Sequence, residues 1–210
     1  MKVLNLYSGV GGNRKLWKNC KVVAVESNKK IARVYQRLHP NDEVVIGDAH
    51  EYLREHFSEF DFIWSSPPYQ THSQAAKATR RKVRRYPDMR LYEEIIFLQH
   101  FFEGDFVVEN VWPFYEPLIK PTKRVGRHLF WSNFDFDADN VKKPRNFLSM
   151  ANLEAKKTWM DWLGIHYEEN IYHNDNPCPA KVLRNCVHPE IGRQIFEYKT
   201  KNRSAKNEQR

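Results

Sequence analysis

Four consecutive residues, Ser66-Pro67-Pro68-Tyr69, bring a hydroxyl, rigid backbone carbonyls and an aromatic face together in one short stretch. Proline fixes φ and removes a backbone donor, so the Pro67 carbonyl is held out as an acceptor with little freedom. Two fixed acceptors beside a phenol ring suit a planar, polar ring as ligand. Stacking a nucleobase on such a face is worth about 1–3 kcal/mol. A second group, Ser8-Gly9-Val10-Gly11-Gly12, is a glycine turn that lets backbone approach a ligand closely. Two acids complete the set: Glu26 is placed to accept from both hydroxyls of a ribose, and Asp48 from the exocyclic amine of a purine. Glycines plus an acid also mark nicotinamide cofactor sites. Here, however, the G-x-G-x-x-G spacing is absent and Glu26 follows Gly12 by 14 residues, closer than the usual ~20.

These groups need a scaffold, and the hydrophobic pattern supplies one. Apolar runs at Lys2–Ser8, Lys21–Ser27, Glu43–Asp48, Phe60–Ser66 and Asp105–Asn110 read as short buried strands. Stretches with helical spacing separate them: NKKIARVYQRLH, AHEYLREHF and DMRLYEEIIFLQHFF. Buried strands alternating with helices predict a doubly wound α/β fold, a mostly parallel central sheet with helices on both faces. In such sheets ligands bind at the carboxyl ends of the strands. The glycine turn, Glu26, Asp48, Ser66–Tyr69 and Glu109-Asn110 each follow or close one of the five strands, in order. Beyond Val111 the pattern weakens to a strand over Gly126–Phe134, a helix in EAKKTWMDWLG and a last helix over Pro189–Tyr198. We expect one domain over residues 1–199 and a disordered basic tail over 200–210.

The chain has 210 residues, enough for a substantial core, with a hydrophobic fraction of 41%. No run approaches the ~18 apolar residues of a membrane span, and MKVLNLYSGVGG is too short in apolar residues for a secretory signal. Three cysteines, Cys20, Cys178 and Cys186, have no C-x-x-C spacing, which points to neither a disulfide framework nor a metal site. A reducing, cytoplasmic setting is the expectation. The net charge of +8 favours an anionic partner, and KATRRKVRR concentrates it in Lys77, Arg80, Arg81, Lys82, Arg84 and Arg85. Such a cluster is either a solvated loop or a set of phosphate contacts; its place just after the Pro-Pro-Tyr turn favours nucleic acid.

NLYSGVGG resembles the first motif of the DNA cytosine carbon-5 methyltransferases, and the resemblance continues in order. It runs through VES, GDA, SSPPYQTHS, PDMRLYEEI, VVENV, KRVGRHLFWS and LRNCVHPEIG, from Val3 to Ile195. The family implies a Rossmann-like S-adenosylmethionine-dependent methyltransferase fold. It also implies S-adenosyl-L-methionine as cofactor and DNA as partner, with RNA an open alternative on the same scaffold. By resemblance, Tyr7, Ser8, Gly9 and Gly11 surround the methionine part of the cofactor, with Gly12 beside them. Glu26, next to Ser27, holds the ribose; Asp48, next to Ala49, holds the adenine amine; Asn185 closes the pocket. Glu109 lies across the target base, and Arg127 falls in the stretch that resembles the Gln-x-Arg-x-Arg motif.

One position departs from the family. Its fourth motif reads Pro-Cys-Gln, whereas this chain has Pro68-Tyr69-Gln70. A phenol with a pKa near ~10 is a poor substitute for a thiolate nucleophile. The stretch resembles instead the Ser/Asp/Asn-Pro-Pro-aromatic motif of the amino methyltransferases, which modify exocyclic nitrogens. In that role Ser66 and the Pro67 carbonyl accept from the amine, and Tyr69 stacks on a base extruded from the duplex or taken from a single strand. A leading serine and Glu109 favour cytosine-N4 over adenine-N6. Carbon-5 methylation by an atypical route and a catalytically silent nucleic-acid-binding relative are the other readings. The region joining the last two motifs, residues 133–183, is small beside the family's usual target-recognition domain. It predicts short or relaxed sequence recognition.

Overall fold

The computed structural model describes residues 1–73, 86–143, 153–172 and 178–207, with side chains described as far as Lys199. The expected cationic cluster Lys77–Arg85 lies outside the described residues. Five strands, β1 (Lys2–Leu6), β2 (Lys21–Val25), β3 (Glu43–Val45), β4 (Phe62–Ser65) and β5 (Asp105–Val111), pair in parallel. Two more, β6 (Lys123–Val125) and β7 (His128–Ser132), complete a seven-stranded sheet of order β3-β2-β1-β4-β5-β7-β6. β7 is antiparallel to both its neighbours. The helices are α1 (Lys29–Leu38), α2 (Ala49–His56), α3 (Arg90–Phe101), α4 (Leu153–Leu163), α5 (Lys181–Arg184) and α6 (Pro189–Asn207).

This is the mostly parallel α/β sheet with packed helices expected from the sequence. Side chains alternate across each strand, and the alternation sorts the core into two faces. Leu4, Leu6, Val23, Val25 and Ile63 pack with Leu53 of α2 and with Leu91, Ile95 and Leu98 of α3. Val3, Val22, Phe62 and Trp64 pack on the other face with Ile191, Ile195 and Phe196 of α6. A third cluster joins α1 to α4 and α5 through Ile31, Val34, Trp159 and Leu183. The helix starts follow local chemistry. Asn28 caps α1 by accepting from the amides of Lys30 and Ile31, and Asp48 caps α2 by accepting from those of His50 and Glu51.

The chain runs outward from β1 to β3 and then returns to place β4 on the opposite side of β1. The strand order therefore reverses between β1 and β4, and a crevice opens beyond their carboxyl ends. The glycine turn follows one of these strands and Ser66–Tyr69 the other.

Three differences from the expected elements have physical reasons. β6 is three residues long with two cations, too short and polar to stand out as a strand. α5 has four residues, below the length at which helical periodicity can be read. α6 continues to Asn207 rather than ending near Tyr198, because no glycine or proline interrupts the stretch from Thr200 onward. Its backbone takes in most of the segment expected to be disordered.

Candidate active site

A solvent-open cleft, with about 940 Å³ of space in and before it, lies at the strand-order reversal. One side is formed by Tyr7, Ser8, Gly9 and Gly12 after β1, by Glu26 and Ser27 after β2, and by Asn185 and Cys186 after α5. The other side is formed by Ser66, Pro67, Pro68, Tyr69, Glu109, Arg127 and His128. Most of the residues singled out in the sequence thus meet in one place. Gly11, Asp48 and Ala49 stand apart from this wall. Gly11 is buried and donates its amide to the carbonyl of Ser8 at 2.9 Å, which closes the turn. Ala49 packs in the core beneath α2. Asp48 spends one carboxylate oxygen on the helix cap, and the other lies 3.5 Å from Arg90. The Asp48…Glu51 spacing, an acid followed three residues on by Glu, is a helix-start signal that points to this second role.

The first side is built from backbone donors and carboxylate. Gly9 has φ +56°, a left-handed conformation that side-chain-bearing residues avoid, and its amide donates to Glu26 Oε2 at 3.1 Å. The Asn28 amide donates to Glu26 Oε1 at 2.8 Å. Burial pushes the Glu26 carboxyl upward, and those two amides act in the opposite direction. Tyr7, also at positive φ, donates its hydroxyl to Glu94 Oε1 at 2.6 Å. Glu94 is fully buried on α3; it also accepts from Ser65 Oγ at 2.6 Å and lies 3.1 Å from His50 Nδ1. One carboxylate therefore ties the ends of β1 and β4 to α3 and fixes where both loops depart.

This side fits a nucleoside-bearing cofactor on three observations. The Ser8 hydroxyl and Asn185 Oδ1 are buried, with no hydrogen-bond partner among the described residues. A Cβ built on Gly9, which lines the cleft, meets no atom within 4 Å beyond its chain neighbours. Glu26 presents an oriented carboxylate at the end of β2.

The second side is held by contacts across the sheet. Asn110 Nδ2 donates to the Pro67 carbonyl at 2.9 Å, and its Oδ1 accepts from the Val111 amide. Trp64 Nε1 donates to Ser66 Oγ at 3.0 Å, fixing that hydroxyl while leaving its proton and a lone pair. The Tyr69 hydroxyl is bonded to Lys181 Nζ, which also lies 4.6 Å from the ring centroid. Glu109 is buried, and its Oε1 lies 2.5 Å from His128 Nδ1. Arg127 Nε donates to His128 Nε2 at 3.2 Å. A guanidinium can only donate, so Nε2 carries the lone pair and the proton sits on Nδ1, directed at Glu109. Glu109 and Arg127 are thus linked through His128. His128 and Lys181 were missed in the sequence, and Asn110 was marked only as the residue that closes a strand beside Glu109. Asn110 and His128 are adjacent to predicted residues, but the Asn110–Pro67 bond depends on the parallel pairing of β4 and β5, and the His128–Glu109 contact on the antiparallel register of β5 and β7.

The cysteines are placed as follows. Cys20 sits at the opposite end of the sheet, before β2, and Cys178 is buried in an apolar cluster. Only Cys186 reaches the cleft. Its thiol donates to the Val182 carbonyl, and burial pushes its pKa up to about 12. Among the described residues there is no group of three or more His, Cys, Asp or Glu placed to hold a metal, and no helix long and apolar enough to cross a membrane.

The model of the C-5 cytosine-specific DNA methylase family matches residues 1–118. No curated protein matches the chain in sequence. Among solved structures, the Entamoeba histolytica methyltransferase EhMeth superposes with a TM-score of 0.58 at 11% identity, covering 94% of this chain and 97% of that one. The putative methyltransferase yhhF from Escherichia coli gives 0.41 at 17% identity, covering 62% and 73%. A mutant of Spodoptera frugiperda DNMT2 gives 0.37 at 24% identity, covering 52% of this chain and 35% of that one. The Entamoeba superposition carries the methyltransferase fold across nearly the whole chain.

Proposed function

The chain belongs to the C-5 cytosine-specific DNA methylase family, and we propose that it transfers a methyl group to an exocyclic amine of a nucleobase, cytosine-N4 in DNA, rather than to carbon 5. The family and fold imply a methyl donor of the S-adenosylmethionine type. The observation that carries the reading is Tyr69 at the catalytic turn, beside a Pro67 carbonyl already oriented by Asn110. Bound at the glycine side, the cofactor supplies an electrophilic methyl on its sulfonium. Ser8, Gly9, Gly12, Glu26, Ser27 and Asn185 hold it; Tyr7 shapes the wall.

On the other side the chain positions a nitrogen. The amine lone pair is delocalised into the base ring and needs localising rather than covalent activation. The Pro67 carbonyl has a second lone pair beyond the one used by Asn110, and Ser66 Oγ has one beyond that used by Trp64. Each accepts from one N–H, which turns the nitrogen lone pair towards the methyl group. Transfer would then be an in-line displacement governed by positioning: the nitrogen lone pair forms the N–C bond, the C–S electron pair stays with sulfur, and the amine gives up one proton to the carboxylate of Glu109. Glu109, whose Oε1 accepts from His128 Nδ1, shares one of these two N–H groups with Ser66 Oγ through its second oxygen. Tyr69 stacks on the base with the face opposite Lys181. The base reaches this pocket only when unpaired, by extrusion or from a single strand.

The alternative route through a thiolate needs a nucleophile, and the one thiol on the cleft wall is held as a donor with its pKa raised. A DNA oligonucleotide carrying 5-fluorocytosine at the target position tests this. Carbon-5 chemistry traps the enzyme as an adduct stable to denaturation, because the fluorine blocks release. We expect no adduct, together with continued methyl transfer to that oligonucleotide; a stable adduct would overturn the reading.

A further inference from the structure

Of the six tryptophans only Trp112 is exposed, at 39%; the others are buried or half-buried. It follows β5 directly, and its amide donates to the Arg127 carbonyl at 2.8 Å. Val111 and Arg127 both line the cleft, so Trp112 stands on its rim, on the target side. The Arg124 guanidinium lies over its ring, 3.9 Å from the centroid. Sheet register explains that contact. Arg124 is opposite Leu129 and Leu129 opposite Asn110, so these side chains share one face, and Trp112 comes two positions after Asn110. The residue that holds the Pro67 carbonyl and the exposed indole therefore lie ~7 Å apart along one extended segment. One face of the indole is backed by the cation, and no other ring stacks on it among the described residues. Arg124 Nε donates to the Gly126 carbonyl at 3.0 Å, and its guanidinium meets no carboxylate among the described residues. Arg127, just after that glycine, has a carbonyl and an imidazole as partners. The rim thus carries an aromatic face between two guanidiniums.

We propose that Trp112, backed by Arg124, is the stacking platform for the nucleobase next to the target base on a single strand. The proposal rests on the reading of the substrate as a base in DNA. Charge and continuity with the cleft set the occupant. An anionic chain that carries flat rings fits an indole face between two guanidiniums, the makeup of a groove for single strands. Every base has a π-face, so the platform holds the strand without reading its sequence. The guanidinium on the back of the ring fixes its plane. With the target base at Pro67 and Tyr69 and its neighbour on Trp112, the strand is splayed across the rim, and the target is kept unpaired.

Binding of a short single-stranded DNA oligonucleotide with one cytosine is measured with an abasic site placed at each other position in turn. For the unaltered protein, one position adjoining the cytosine should lose the most affinity, about 5- to 150-fold, the worth of one base stack. Trp112→Ala should weaken binding of the intact strand by a similar factor and show no abasic penalty at that position. Trp112→Phe, which keeps an aromatic face, should retain the penalty. Cofactor affinity should be the same in all three proteins, which shows that each is folded. A Trp112→Ala variant that binds the intact strand as tightly as the unaltered protein, or keeps the abasic penalty, overturns the proposal. So does an unaltered protein for which no adjoining position stands out, or one that acts on the duplex alone. A variant that changes self-association and not strand affinity gives the face to a second copy of the chain and overturns the proposal too. An unaltered protein that neither binds nor methylates the strand or its duplex overturns the substrate reading itself, and that result appears before any variant is compared.

Discussion

Gly9→Val is expected to abolish cofactor binding while leaving a folded protein. Two effects act together. The left-handed backbone at φ +56° costs a side-chain-bearing residue about 1–2 kcal/mol, more when it is β-branched. The valine methyls also extend into open space at a residue that lines the cleft, since the Cβ position meets no protein atom within 4 Å beyond the neighbouring residues. The first effect lowers stability by a modest amount, seen as a fall of several degrees in Tm. The second removes the volume that the cofactor needs. Together they should weaken cofactor affinity by at least ~100-fold, or about 2.7 kcal/mol, in equilibrium dialysis or calorimetry. A variant that binds the cofactor as tightly as the unaltered protein would remove the glycine side of the cleft from the cofactor site.

Changes at Glu109 should act on transfer and not on cofactor affinity. Glu109→Ala removes the acceptor of the His128 Nδ1 proton and leaves that buried donor unpaired, which costs about 1–3 kcal/mol of stability. It also removes an acceptor for the amine of the base, and loss of one oriented group of this kind lowers kcat by about 10²–10³. Glu109→Gln separates the two effects. Its amide oxygen still accepts from His128, so the fold is retained, but its NH₂ then faces the amine of the base, donor against donor. We expect Glu109→Gln to keep the Tm of the unaltered protein and still to lose most of kcat, with cofactor Kd unchanged in both variants. Full activity in Glu109→Gln would restrict the residue to a structural partnership with His128.

The elements that carry the site were legible in the sequence because each depends on local pattern. The five parallel strands are apolar runs, and α1 falls in a stretch with helical spacing. What escaped was non-local or short. β6 is three residues long, and its pairing with β7 follows from geometry beyond any single window. The Asn110–Pro67 hydrogen bond spans 43 positions and the Glu109–His128 contact 19, so both depend on strand register rather than on spacing. Asp48 illustrates the opposite case. Two local patterns, a strand-end acid and a helix cap, fit the same residue, and one of its carboxylate oxygens serves the cap. Ser66–Tyr69 was legible as an unusual turn, but not as one whose carbonyl is held from across the sheet.

The identity of the methylated nucleoside tests the central claim most directly. The protein is incubated with isotopically labelled S-adenosylmethionine and DNA, the DNA is digested to nucleosides, and the labelled species is identified by mass spectrometry against standards. The account predicts label on an exocyclic nitrogen, as N4-methylcytosine. Label in 5-methylcytosine would contradict it.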